Sequence, residues 1–273
     1  MPHLERPIGR AALVAGFLLS GATVESAPWN GKEVVEGGVT HVKNSATPME
    51  KPLTVTLEEL WRIGGDNEAE GEFFGLITDV AVHPSGDVYL VDMQLSEVKV
   101  FSAQGKYLRT IGREGEGPGE FRRPSTLFFD ATGNVGVVQT QPSRVVMLKP
   151  DGTPAPAFPL QSPEDGGFRM LQWARYRGGS LVVQGGTFGH KEGSIERTNA
   201  IVRLSDQGKE LARYHAMTST SNMARLVIKE DEFGVPWTVG PQGDVYAALD
   251  RTWKLSVWSS AGTLQRVVEL ETQ

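Results

Sequence analysis

Two glycines recur through this chain at a near-constant spacing, and that spacing constrains the fold more than any other feature. The first stands at Gly86 (PSGDVY), Gly133 (ATGNVG), Gly179 (RGGSLV) and Gly243 (PQGDVY), the second at Gly105, Gly152, Gly208 and Gly262. Within a pair the separation is 19, 19, 29 and 19 residues, and the first glycine advances by 47, 46 and 64. Short apolar runs fill the intervals: Val80 to Val82, Val88 to Val91, Val98 to Phe101 and Tyr107 to Ile111, each ended by Gly, Pro, Ser or Asp. Such runs, rich in β-branched and aromatic residues, predict antiparallel strands joined by tight turns. Four strands per period of about 47 residues predict the blades of a β-propeller and argue against a sandwich, whose strands do not recur in fours.

Departures from the period predict local detail. The ten extra residues of the third repeat are assigned to a loop over Thr187–Thr198, and the longer last step to a polar surface excursion over Thr218–Glu232. Six residues before each first glycine stand Val80, Leu127, Trp173 and Trp237, an apolar position expected to be buried between blades. Leu60–Gly64 (LWRIG) echoes Leu108–Gly112 (LRTIG), and Gly71-Glu72-Phe73 echoes Gly119-Glu120-Phe121, both at an offset of 48. Leu53–Ile63 is therefore expected to form the outer strand of a blade whose other strands come from elsewhere.

The expected domain plan has three parts. Residues 1–22 read as a signal peptide: Arg6 and Arg10 precede an apolar core, Ala11 to Leu19, and Ser20-Gly21-Ala22 supply a cleavage site. Residues 23–52 read as a flexible leader without periodicity. Residues 53–273 read as the propeller, with blades near 74–112, 121–160, 168–215 and 233–270. Leu53–Leu270 spans 218 residues and shows four such blades. The expected fold class is all-β: an open arc of about four four-stranded antiparallel blades.

Composition removes several functions. There is no cysteine, so thiolate metal sites, disulfides and thiol nucleophiles are excluded. The net charge of −6 argues against nucleic acid as partner, and no membrane span is expected once residues 1–22 are removed, since nine apolar residues are too few for one. No G-x-S-x-G or H-E-x-x-H motif is present.

The run GDVYLVD…EVKVFSAQGKYLRTIG, from Gly86 to Gly112, resembles the NHL repeat, and IGREGEGPGEF, from Ile111 to Phe121, is similar to the connection between blades of secreted bacterial six-bladed β-propellers. The resemblance implies a six-bladed ring, which needs about 280 residues at this period against the 218 of Leu53–Leu270, so an incomplete six-bladed ring is expected. It also implies a periplasmic or secreted location and, by analogy with propeller lyases, histidines near a central channel. The family aspartate that ends the second strand is present as Asp92, where it reads as a turn cap; Gln139, Gly185 and Leu249 stand in its place elsewhere.

Two sets of candidate residues follow. Arg113, Glu114, Glu116 and Glu120 gather on the glycine-rich connection and read as a ligand-binding loop or as a solvated, ion-paired one. Asp79, His83, Asp92, His190, Asp244 and Asp250 are the candidates for holding Ca or Zn. The first set belongs to an exported scaffold that binds a protein or small ligand through loops on one face, with no cofactor and no evident catalysis. The second belongs to the alternative, a metal-dependent hydrolase or lyase of the lactonase or amidoglycolate-lyase type.

Overall fold

The computed structural model describes residues 29–47, 54–64, 71–161, 168–191, 194–222, 235–249 and 252–270, and among them there are seventeen strands and no helix. The segment expected as a signal peptide lies outside the described residues. Residues 32–44, expected within a flexible leader, instead form a hairpin of β1 (Lys32–Glu36) and β2 (Val39–Asn44), turned by Gly37 and Gly38 at φ of 58° and 83°. Its signal is the alternating VTHVKN of β2, too short to register as a period.

Blade one comprises β3 (Ile77–Val82), β4 (Val88–Asp92), β5 (Glu97–Phe101) and β6 (Tyr107–Ile111) in sequential antiparallel order. Blade two comprises β7 (Pro124–Phe129), β8 (Val135–Gln139) and β9 (Arg144–Leu148). Its fourth place holds a single bridge, Leu148 to Pro154, and the Ala155 N–H donates to Met147 O at 2.9 Å. Pro154, Pro156 and Pro159 lack the N–H groups that a longer ladder requires. Blade three comprises β10 (Phe168–Arg177), β11 (Ser180–Lys191), β12 (Ser194–Leu204) and β13 (Glu210–Asn222). Thr187–Thr198 is thus no loop: β11 and β12 stay paired out to Lys191 and Ser194. The Thr218–Glu232 excursion likewise begins as strand, since β13 runs to Asn222. Blade four comprises β14 (Trp237–Val239), β15 (Val245–Ala247), β16 (Lys254–Trp258) and β17 (Leu264–Leu270), and β2 pairs with β17 in parallel.

The glycines act as turn residues. Gly86, Gly133, Gly179 and Gly243 all lie between a blade's first two strands at φ between 71° and 94°, a region that costs a residue with a Cβ 1–2 kcal/mol or so. Three apolar clusters fill the seams between blades one and two, two and three, and three and four. No such cluster joins blade four to blade one among the described residues, and Val80 and Val82 on β3 are 53% and 55% exposed. Among the described residues the blades form an open arc.

A repeated latch ties the seams. Arg109 Nε on β6 donates to Pro150 O at 2.9 Å, and Tyr214 Oη on β13 donates to Ser260 O at 3.0 Å. Trp61 Nε1 donates to Ala103 O at 3.0 Å. Each acceptor stands two residues before a turn glycine, Gly152, Gly262 or Gly105. Leu60–Gly64 therefore occupies the flank that a preceding blade's outer strand would cover, as its echo of Leu108–Gly112 implied. It forms no ladder, however, because no inner strand stands beside it among the described residues. The second echo shifts by one residue: Phe74, not Phe73, stacks beneath Gly64 as Phe121 does beneath Gly112, and Phe73 is 71% exposed.

Candidate functional site

The innermost strands of the first three blades break their ladders at the same place. Register shifts fall between Ile77 and Asp79, between Pro124 and Thr126, and between Leu171 and Trp173. A β-bulge adds one residue to a strand and re-aims its neighbours. Here it brings Asp79, Thr126 and Trp173 to equivalent positions, opposite Val91, Val138 and Gln184.

That equivalence corrects the sequence alignment of blade three. Its first hairpin turns on two residues, Gly178 and Gly179, because Arg177 pairs directly with Ser180. Blade one spends one residue more, with His83 N bonded to Asp87 O. The partner of Val80 and Leu127 is therefore Ala174, fully buried, and Trp173 falls on the other side, 36% exposed. A slip of one residue in a strand exchanges its faces. Trp237 keeps the expected place opposite Ala247 and is half-buried, its Nε1 donating to Gln184 Oε1 at 2.7 Å.

Asp79, Thr126 and Arg175 meet across three blades. Arg175 Nη1 lies 3.1 Å from Asp79 Oδ2, 2.8 Å from Thr126 Oγ1 and 2.9 Å from Ala174 O. The Thr126 hydroxyl donates to Asp79 Oδ2, which also accepts the Leu127 N–H at 3.1 Å. Asp79 is thus neutralised and saturated with donors, a poor arrangement for a metal ligand or a general base. Arg175 differs. Its guanidinium lies 5.7 Å from the Trp173 ring centroid, and among the described residues its Nε and Nη2 make no hydrogen bond. Beside it opens a groove of about 490 Å³ whose walls include Val80, Val82, Asp130, Tyr176 and Arg177. A ligand there meets a half-exposed cation, an aromatic ring and two aliphatic side chains.

The other metal candidates do not converge with Asp79, and among the described residues no three His, Asp or Glu side chains form a metal-sized cluster. His83 spans a seam: its Nε2 donates to Gly133 O at 3.2 Å, its Nδ1 accepts the Ser85 N–H at 3.1 Å, and its ring meets the Phe129 edge at 4.9 Å. A carbonyl can only accept, so Nε2 carries the proton. Asp92 is fully buried and caps a turn by accepting four backbone N–H groups, from Gly75, Leu76, Gln94 and Leu95. Burial pushes its pKa up, but the bonds from Leu95, Leu76, Gly75 and Gln94 outweigh it and leave the carboxyl below its ordinary value. Gln139 takes the cap's place in blade two, accepting the Arg122 N–H at 2.7 Å. Asp244 sits in the turn before β15, where its carbonyl accepts the Gly240 N–H at 2.8 Å. Asp250 and the side chain of His190 lie outside the described residues.

The glycine-rich connection is a closed structural loop. Arg144 donates to Gly115 O, Glu116 O and Glu120 O at 3.0, 3.0 and 2.8 Å. Glu120 accepts the Gly117 N–H and pairs with Arg113, and these contacts, in that order, lower its pKa. Arg122 pairs with Glu116, and Glu114 is exposed. Sequence reasoning missed Thr126, because a hydroxyl there does not repeat the acid of blade one, and it missed Arg175, Arg177 and the true place of Trp173, because the blade-three slip hid their alignment. The short Arg177-Gly178-Gly179-Ser180 turn was the signal that could have shown it.

Residues 72–147 match the sequence profile of a family described as a 6-bladed beta-propeller. No curated protein sequence matches the chain. Among solved structures, a protein of Bacteroides fragilis assigned as exported aligns at 13% identity and a TM-score of 0.50, over 75% of this chain and 54% of that one. This chain thus spans about half the length of that relative. A streptogramin B lyase aligns at 13% identity and 0.40, over 72% and 70% of the two chains. A gluconolactonase of Xanthomonas campestris aligns at 14% and 0.41, over 68% and 59%. The first of these likenesses concerns the fold alone. The chain folds as a β-propeller of antiparallel blades, and among the described residues no helix is long and apolar enough to cross a membrane.

Proposed function

We propose that this chain is an exported propeller scaffold that binds a ligand of small-molecule size, free or displayed by a protein partner, in the groove over the inner strands of blades one to three. One observation carries the reading: Arg175 is anchored by Asp79 and Thr126 from two other blades, yet its Nε and Nη2 remain without protein acceptors among the described residues. An anchored guanidinium with spare donors is pre-organised for an oxygen acceptor, and the groove has the size of known ligand sites. Val80 and Val82 offer an apolar surface for the rest of the ligand. The charged start and apolar core of residues 1–22 support export to the periplasm or beyond. The reading needs no cofactor; a Ca or Zn ion belongs to the hydrolase or lyase alternative, for which Asp79, His83 and Asp92 are each already engaged.

A fragment screen by NMR on methyl-labelled protein tests this. Hits should cluster on Val80, Val82 and Leu127 and weaken at least tenfold in Arg175→Met. Hits that fall elsewhere, or that ignore the substitution, refute the reading. Elemental analysis of purified protein is the companion measurement, since one tightly held equivalent of metal would favour the hydrolytic alternative.

A further inference from the structure

Asp92 and Gln139 occupy one equivalent place in blades one and two, opposite Ile77 and Pro124. Both are buried and both bind the backbone entering the blade. In blade three the same place, opposite Leu171, holds Gly185. No side chain can enter there, because a Cβ on Gly185 would run into the Met170 carbonyl, and no cap is needed, because β10 starts early enough for Arg169 to pair with Thr187 on β11. Beside this place lies a cavity of about 50 Å³, floored by Leu171, Gly185 and Ala200.

The cavity is polar on the side of Arg169, Thr187 and Thr198, and again on the side of Glu210 and Arg213. Across the sheet, Arg169 stands opposite Thr187, Thr187 opposite Thr198, and Thr198 opposite Thr218. Arg169 Nε is buried and has no hydrogen-bond partner among the described residues. An orphaned donor on a cation is costly to keep unless something occupies it. Glu210, also at the cavity, is held by Arg213 through two bonds of 2.8 and 2.9 Å, so its charge is already matched. Burial, with Arg213 nearby, holds the Arg169 pKa below its ordinary value despite the opposing charge of Glu210, and a guanidinium remains a cation in spite of that.

We propose that this cavity in blade three binds a short-chain carboxylate, its oxygens on the Arg169 guanidinium and its alkyl end over Leu171, Gly185 and Ala200. Size sets the chain length. About 10–15 Å³ of such volume holds one water-sized group, so the cavity accepts roughly three to five heavy atoms: a carboxylate with a tail of one or two carbons. Inorganic phosphate fits the volume but places oxygen against an apolar floor, at a cost in unpaired polar atoms.

The test titrates the full chain with sodium propionate while amide shifts of Thr187, Thr198 and Ala200 are followed, with propanol, propylammonium and phosphate as controls. Saturable shifts for propionate, at least tenfold weaker or absent for each control, are expected. Arg169→Met should abolish them without lowering the melting temperature of the unliganded protein, because it removes an unpaired buried donor. Ala200→Val, which keeps the guanidinium and fills the floor, should weaken propionate at least tenfold. Should Arg169→Met fail to fold, Ala200→Val decides alone. The proposal is overturned if propionate does not saturate, if propanol or phosphate binds equally well, or if Ala200→Val leaves binding unchanged.

Discussion

Asp92 is where a single substitution should cost most for its size. Its carboxylate accepts the N–H groups of Gly75 at 2.7 Å, Leu76 at 3.1 Å, Gln94 at 3.0 Å and Leu95 at 2.9 Å, and it is wholly buried. Removing the acceptor in Asp92→Ala strands four N–H groups at about 1–3 kcal/mol each; since they share one acceptor and can relax together, about 4 kcal/mol is expected. Asp92→Asn keeps Oδ1, which serves three of the four, and sets an amide N–H against that of Gly75. About 2 kcal/mol follows from one lost bond and one donor facing another. Gln139 shows that an amide can serve in this place, turning its Nε2 to Pro142 O at 2.9 Å. The pH dependence has a definite sign. The folded pKa of Asp92 lies below the unfolded value, so its stabilisation is complete above about pH 4 and is lost as pH falls through the folded value. Urea unfolding of wild type, Asp92→Asn and Asp92→Ala between pH 3 and 7 measures both effects. A loss below about 1 kcal/mol for Asp92→Ala, or an acid slope identical in wild type and Asp92→Asn, would refute the reasoning.

Three further outcomes can be checked. Trp61→Ala removes the latch to Ala103 O and the cover over Gly105, and should cost about 2–3 kcal/mol in chemical denaturation, where a loss under about 0.5 would mean that the segment is not docked. Trp173→Ala should cost no more than about 1.5 kcal/mol, whereas Ala174→Leu, at a site with no exposure, should cost about 1–3 through overpacking; the reverse order would restore the original alignment. Glu269 is held below its ordinary pKa chiefly by the hydrogen bond from His41, so the β2–β17 clasp is secure above about pH 4.5 and weakens below it. Hydrogen-exchange protection over residues 39–44, taken relative to the intrinsic rate at each pH, should therefore fall on acidification in wild type but not in Glu269→Gln.

The architecture was readable because turns carry their own chemistry. Gly105, Gly152, Gly208 and Gly262 each donate to a carbonyl three residues back, with φ between 71° and 92°, and a Cβ is poorly tolerated there. Each turn imprints one glycine, and four turns imprint the period. Elements that depend on distant partners leave no such imprint. The hairpin β1–β2 docks on β17 more than 220 residues away, through His41 and Glu269, and nothing near Val39–Asn44 announces that partner. The extension of β11 and β12 was also hidden. Phe188, Gly189 and His190 carry no turn-free pattern that would separate a long hairpin from a loop, and only the cross-strand pairing from Thr187–Thr198 outward settles it.

The candidate site was obscured for a related reason. Repetition marks what every blade must keep, and a binding site is built where blades differ. The row at the bulges reads Asp79, Thr126, Trp173: an acid, a hydroxyl and an indole at one structural position. No period can point to residues that do not recur, and a hairpin one residue shorter moved Trp173 out of register with its equivalents. The carboxylates that drew attention in sequence, Glu116 and Glu120, sit on the glycine-rich connection and are spent holding it closed through Arg122 and Arg113. The converse holds at Gly185. Where blades one and two keep a capping side chain, blade three keeps none, and the cavity beside Gly185 borders a buried arginine nitrogen without a partner among the described residues. In a repeat protein the positions to probe for function are those where the structural register is kept and the side chain changes kind.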